Sequence, residues 1–148
     1  MTHSGGGQIF FTAYQQKWVR NPQRIDSLIT VNTTLNNGQT LKQGINTKLK
    51  VEINTIHSLD YVMISIPIPA GCSIMDKKSK YELDADHISY EYDRINIYFT
   101  TIQRGEKELE IELTPRFSGE FQLNPTKVEL MYFPSYFGRE AMKKVIIE

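Results

Sequence analysis

The chain has 148 residues, with 17 lysines and arginines balanced by 17 aspartates and glutamates, so it carries no formal net charge. That balance excludes a strong electrostatic pull towards nucleic acid or an anionic membrane, and no apolar run approaches the ~20 residues that cross a bilayer. A single cysteine, Cys72, excludes an internal disulfide, a Cys-x-x-Cys motif and a cysteine-built zinc site.

A chain of this length suits one domain, which can bury about 68–70% of its unfolded surface without help from metal or cross-links. Met1–Gly7 ends in three glycines and lacks the charged and apolar regions of a signal peptide. It reads as a linker, with any export signal upstream. Gln8–Tyr14 reads as a short first strand, and Gln15–Arg24, broken by Asn21-Pro22, as a crossing loop. Ser27–Leu35 is rich in β-branched residues and reads as a strand. Asn36-Asn37-Gly38 then supplies turn chemistry, and Gln43-Gly44 a second reversal.

Thr47–Thr55 alternates, with Leu49, Val51 and Ile53 facing one way and Lys48, Lys50, Glu52 and Asn54 the other, the period of a half-buried strand. Tyr61–Ile66 has apolar residues on both faces and predicts a strand at the centre of a sheet, covered on both sides. Pro67 and Pro69 remove donors and Gly71 allows a reversal, so that strand stops sharply. Asp76–Lys80 holds the basic cluster Lys77, Lys78 and Lys80, placed in an exposed connection. His87–Tyr92 and Arg94–Thr100 are two further strands, the second with Ile95, Ile97 and Phe99 facing inward.

After a turn at Gln103-Arg104-Gly105, Leu109, Ile111 and Leu113 interleave with Glu108, Glu110 and Glu112 until Pro115 ends the strand. Phe117–Leu123 is a short segment, Lys127–Tyr132 a strand and Lys144–Ile147 a last one. No stretch keeps a 3.6-residue apolar period over ten residues. Eight or nine short strands with regular turn signals predict an all-β antiparallel sandwich with little or no helix.

The chemistry is sparse. His3 sits in the glycine-rich start, and His57 has no ligand-type neighbour at a metal spacing. Asp84-Ala85-Asp86-His87 combines carboxylates with an imidazole, the elements of a small divalent-metal hydrolase site, although a solvated loop entering a strand accounts for it more economically. Glu108, Glu110 and Glu112 share a face and read as a solvated row able to pair with Lys48 and Lys50 across strands. Cys72, between Ala70 and Ile74, reads as a small buried hydrophobe. Asn32-Thr33-Thr34 fits a glycosylation acceptor in a eukaryotic secretory setting. No nucleophile elbow, phosphate-cradling loop or calcium loop is present, so no catalytic residue and no cofactor is assigned.

Three stretches carry a resemblance: Tyr61–Gly71, the alternating Glu106–Thr114 strand, and Val128–Pro134 followed by Phe137-Gly138-Arg139. In this order and spacing they resemble the C-terminal domain of the alpha-2-macroglobulin family, especially its bacterial members, from about Leu41 to Glu148. The resemblance implies an immunoglobulin-like, macroglobulin-type β-sandwich. Residues 1–20 would then form a linker and strand leading out of a preceding domain, and residues 21–148 the C-terminal module of a large protease trap.

On that reading the module is not an enzyme. Its partners are the other domains of the same chain and, through the parent, the target proteases, with no insertion into a membrane. The setting is periplasmic, cell-surface or extracellular. Cys72 is followed by Ser73-Ile74-Met75 and so lacks the Cys-x-Glu-Gln thioester pattern that many members carry. The resemblance places Lys77, Lys78 and Lys80 where animal members bind receptors, and they are a candidate interaction surface. Tyr132, Phe133, Tyr136 and Phe137 are candidates for an interdomain contact. The competing reading is a stand-alone immunoglobulin-like adhesion or carbohydrate-binding module with an aromatic platform, for example Trp18 with Tyr14.

Overall fold

A computed structural model describes residues 13, 15 and 19–148. The first strand expected at Gln8–Tyr14 lies outside these residues except for Ala13. Among the described residues there is no helix, and twelve strands are present, several more than the eight or nine expected. They are β1 (Ile29–Leu35), β2 (Thr40–Leu41), β3 (Thr47–Thr55) and β4 (Leu59–Pro67). Next come β5 (Cys72–Ile74), β6 (His87–Tyr90), β7 (Arg94–Ile102) and β8 (Gly105–Pro115). The last four are β9 (Gly119–Leu123), β10 (Lys127–Leu130), β11 (Phe133–Arg139) and β12 (Lys143–Ile147).

Three sheets result. A four-stranded sheet runs β1-β3-β8-β5, a five-stranded sheet β11-β10-β4-β7-β6, and a three-stranded sheet β2-β12-β9. All pairings are antiparallel apart from β12 with β2. The strands with clean alternation, β3 and β8, lie together in the middle of the first sheet, with Leu49 opposite Ile111 and Val51 opposite Leu109. Their apolar faces and the inward residues of β4, β7 and β10 form one core cluster, which Leu41, Leu123, Val145 and Ile147 extend from the third sheet. Ile64, Ile66, Ile95 and Ile97 are wholly buried at its centre. The result is an all-β sandwich, as the alternation predicts.

β4 does occupy the centre of its sheet, between β10 and β7. The expectation that both its faces are covered is corrected. Val62, Ile64 and Ile66 point into the core, whereas Met63 and Ser65 on the other face are only half-buried and Tyr61 is 47% exposed. An apolar methionine on the open face mimicked a second buried face. The proline stop is real, since β4 ends at Pro67. The reversal expected at Gly71 is present. The chain reverses through a turn in which the Cys72 N–H donates to the Pro69 carbonyl. What Gly71 supplies is space, because a Cβ there would sit 2.4 Å from the Phe121 ring.

The glycine turns behave as read. Gly38 and Gly44 have φ of +73° and +77°, a conformation other residues adopt at a cost. The third sheet is tied to the first through the half-buried Lys143. Glu140 is 4% exposed, it pairs with Lys143, and the Lys143 ammonium also donates to the Thr33 carbonyl on β1. Beside it the hydroxyls of Thr33 and Thr126 bond each other at 2.9 Å inside the core.

Candidate interaction surface

The sequence-flagged groups scatter. Lys77, Lys78 and Lys80 lie in the connection between β5 and β6. There the Lys77 ammonium sits 5.3 Å from the Tyr90 ring centre and that of Lys80 5.2 Å from the Tyr81 ring. The Lys78 carbonyl accepts the Tyr90 hydroxyl at 2.7 Å. Two of the three lysine heads are thus laid against local rings, and the backbone of the third is tied to one of them.

Asp84, Asp86 and His87 do not converge. Just ahead of β6, the Asp86 carboxylate accepts the Thr100 N–H of β7, which holds that carboxyl below its usual range. Asp84 meets Lys107 at 3.4 Å, and His87 rests against Tyr98 with ring centres 5.5 Å apart. Among the described residues no group of three histidine, cysteine or acidic side chains is placed to hold a metal ion. Tyr14, Trp18 and His3 lie outside the described residues. Cys72 is half-buried against the core, and burial pushes its thiol up to about 11, the opposite of what a reactive thiolate needs.

The four flagged aromatics divide. Tyr132 and Phe133 stand at the β10–β11 hairpin, 70% and 63% exposed, and Tyr136 follows at 52%. Phe137 belongs elsewhere: it is half-buried on the open face of the five-stranded sheet, with the Lys127 ammonium 5.0 Å and the Arg139 guanidinium 5.9 Å from its ring centre. Sequence reasoning missed two members of the exposed group, Met131 and Tyr61. The Tyr61 ring packs edge-on to that of Tyr132, centres 5.1 Å apart.

Local backbone geometry places these rings. Leu130 pairs with Phe133, so Met131 and Tyr132 form a two-residue hairpin tip. Glu129 pairs with Phe137, which leaves Pro134, Ser135 and Tyr136 as a bulge on β11. Pro134 has no N–H to offer, so the bulge also blunts this edge of the sheet. Tyr61 has φ of +55°, and its carbonyl accepts the Met131 N–H at 2.8 Å. Between the β3–β4 turn and the hairpin tip lies a cleft of about 500 Å³ lined by Ser58, Leu59, Asp60, Tyr61, Leu130, Tyr132 and Phe133.

The outer face of the four-stranded sheet is the charged counterpart. Lys48 bonds Glu110 at 2.9 Å, and Lys50 bonds Glu108 at 2.8 Å and Glu52 at 3.0 Å. Lys48 holds Glu110, and the Asn32 amide together with Lys50 holds Glu52, below their ordinary pKa values, while the glutamates hold both lysines above theirs. The cross-strand pairing expected from the sequence is present. In a broader polar hollow of about 640 Å³ on the five-stranded sheet, Lys127 pairs with Glu129 and the Asn96 amide donates to Glu91 at 2.6 Å.

Comparison with known proteins places this geometry. Residues 20–135 match the family described as the bacterial alpha-2-macroglobulin MG10 domain. The Salmonella alpha-2-macroglobulin mutant Y1175G is 16% identical, with a TM-score of 0.73 over 85% of this chain and 10% of that one. Native Escherichia coli alpha-2-macroglobulin, from domain MG7 to the C-terminus, is 14% identical with a TM-score of 0.75 over 86% of this chain and 24% of that one. A non-cellulosomal cohesin from Archaeoglobus fulgidus is 9% identical at a TM-score of 0.53, covering 82% and 92% of the two chains. At these identities the likenesses show the fold. No curated protein sequence matches. The chain spans about a tenth of the Salmonella protein and a quarter of the Escherichia coli fragment.

Proposed function

The chain belongs to the bacterial alpha-2-macroglobulin family, as its MG10 domain, and we propose that it is a non-catalytic packing module of a multidomain protease trap. The observation that carries this reading is the family match over residues 20–135 in a chain spanning a tenth of its Salmonella structural relative. On this proposal residues 1–20 lead out of a preceding domain and residues 21–148 form the C-terminal module. The parent captures proteases in the periplasm, at the cell surface or outside the cell. The module contributes by holding its neighbours in the arrangement that precedes capture.

The chemistry of the surface is consistent with such a role. On the four-stranded sheet Lys48 and Lys50 are spent on Glu110, Glu108 and Glu52, and burial raises the Cys72 pKa to about 11. What it offers is shape and apolar area, the currency of domain–domain contact.

The test compares the 148-residue chain with the protein encoded by its full reading frame, each mixed with a serine protease and a protein substrate. The full protein is expected to suppress digestion and the chain alone to leave it unchanged. Suppression by the chain alone would overturn the packing-module reading.

A further inference from the structure

The open face of the five-stranded sheet carries a straight polar row. Strand register sets Arg139 opposite Lys127, Lys127 opposite Ser65, and Ser65 opposite Asn96. Residues opposed across strands share a face, so these four side chains line up across β11, β10, β4 and β7 at the strand spacing of about 4.8 Å. Three such spacings make the row about 14 Å long. Two residues along the strands, Phe137, Glu129 and Met63 form a second row on the same face. Both rows contribute to the hollow of about 640 Å³, which Pro22 and Pro125 also line.

Most charges around the hollow are matched. Lys127 pairs with Glu129, Arg94 with Asp93, and the Asn96 amide donates to Glu91. Arg139 is the exception. Its Nε donates to the Gln23 carbonyl at 3.1 Å, and among the described residues its guanidinium pairs with no carboxylate. The row therefore runs from an unmatched cation at one end, past the Ser65 hydroxyl, to the Asn96 amide at the other.

We infer that this row is a binding site for an oligosaccharide of about three sugars that carries one carboxylate, which Arg139 takes. The inference rests on the register of the sheet and stands apart from the packing-module reading. With Nε occupied, the two terminal nitrogens of Arg139 match a carboxylate in two parallel bonds. Glu91 and Glu129 line the same hollow and repel further negative charge, which disfavours a polyacidic peptide or a nucleic acid. Spacing separates a sugar chain from a peptide. An extended peptide turns a side chain to one face every ~6.7 Å, out of step with the row, whereas a pyranose chain repeats at close to the strand spacing. The serine hydroxyl and the asparagine amide both donate and accept, as neighbouring sugar hydroxyls require. Met63 and the two prolines supply apolar contact for the C–H faces of the rings.

The test titrates the 148-residue chain with two trisaccharides that bear one carboxylate, sialyllactose and an aldotriouronic acid, and with neutral maltotriose, following backbone amides by NMR. Saturable binding of at least one acidic trisaccharide is expected, with shifts at Ser65, Asn96, Lys127 and Arg139, and maltotriose is expected to bind about tenfold more weakly. Arg139→Lys keeps the charge but loses the fork, and is expected to weaken binding about tenfold. Ser65→Leu fills the middle of the row and is expected to abolish binding, whereas Lys50→Gln on the other sheet is expected to leave it unchanged. The spectrum of each variant shows directly whether it folds.

Failure of both acidic trisaccharides to bind at millimolar concentration would overturn the site. So would equal affinity for maltotriose, or binding that survives both Arg139→Lys and Ser65→Leu. A tetraglutamate peptide that shifts the same amides at lower concentration would also overturn it, because the occupant would then be an acidic peptide.

Discussion

The charged ladder on β3 and β8 and the aromatic corner of β4, β10 and β11 are surfaces of the same sandwich built on opposite rules. On the ladder every strand is regular, the register runs unbroken from Thr47 opposite Leu113 to Thr55 opposite Gly105, and ammonium groups sit between carboxylates. At the corner the strand pairing is interrupted, one tyrosine is strained, and large rings face water. A surface whose groups satisfy one another is finished as it stands. One that spends backbone strain to expose apolar rings is complete only when something covers it. The difference teaches where on this domain to look for a partner.

The comparison breaks most completely at the support both regions share. Ile64 is wholly buried in β4 and opposes Ile97 across the sheet. Ile64→Ala is expected to lower stability by about 2–5 kcal/mol in denaturant unfolding, with ladder and corner melting together. Gly138→Ala separates them. An added Cβ would meet the Ile29 carbonyl oxygen at 2.3 Å, so β11 must shift. A loss of about 1–3 kcal/mol is expected, with amide exchange rising in β10 and β11 more than in β3 and β8.

A finer probe is the strain itself. Tyr61→Gly and Tyr61→Ala both remove the ring, but only glycine relieves the positive φ. The glycine variant is expected to be the more stable of the two by about 1 kcal/mol in thermal unfolding. Equal stabilities would mean that the backbone there relaxes.

The smallest effects belong to the ladder. Lys50→Gln is expected to leave the unfolding midpoint unchanged at about 0.15 M salt, because its pairs face water. Acid provides the matching test. Glu52 and Glu110 are held below their ordinary values in the fold, so the stability they add is complete above the ordinary carboxylate pKa of about 4.3. It is lost as pH falls through their lowered folded values. Lys48→Met is expected to flatten the acid limb of a stability–pH curve slightly.

Regularity also decided what could be read from the sequence. β3 and β8 were legible residue by residue, because period-2 alternation is a local signal and one buried face enforces it. Pro67 and Pro115 gave the ends of β4 and β8 for the same local reason. The strands that escaped notice are those held by pairing rather than by pattern. β2 spans two residues beside β12, β5 three beside the end of β8, and β11 carries a proline and a glycine. At the corner, Tyr132, Phe133 and Tyr136 stood out as clustered aromatics. Tyr61 did not, since nothing in Asp60-Tyr61-Val62 signals a left-handed backbone. Phe137 joined the group by proximity in sequence, yet strand pairing carries it to the open sheet face under Lys127. Asp86, read as part of a solvated loop entering a strand, caps a backbone N–H, a role that depends on where Thr100 falls in space.

The most direct test of the contrast between the two surfaces is hydroxyl-radical footprinting of the parent protein and of the 148-residue chain, read at Tyr61, Tyr132 and Phe133 and at Leu35 and Ile74 on the four-stranded sheet. The account predicts that the three corner rings are modified several-fold more slowly in the parent, while the four-stranded sheet reacts alike in both. Equal modification of the corner rings in the two proteins would contradict it.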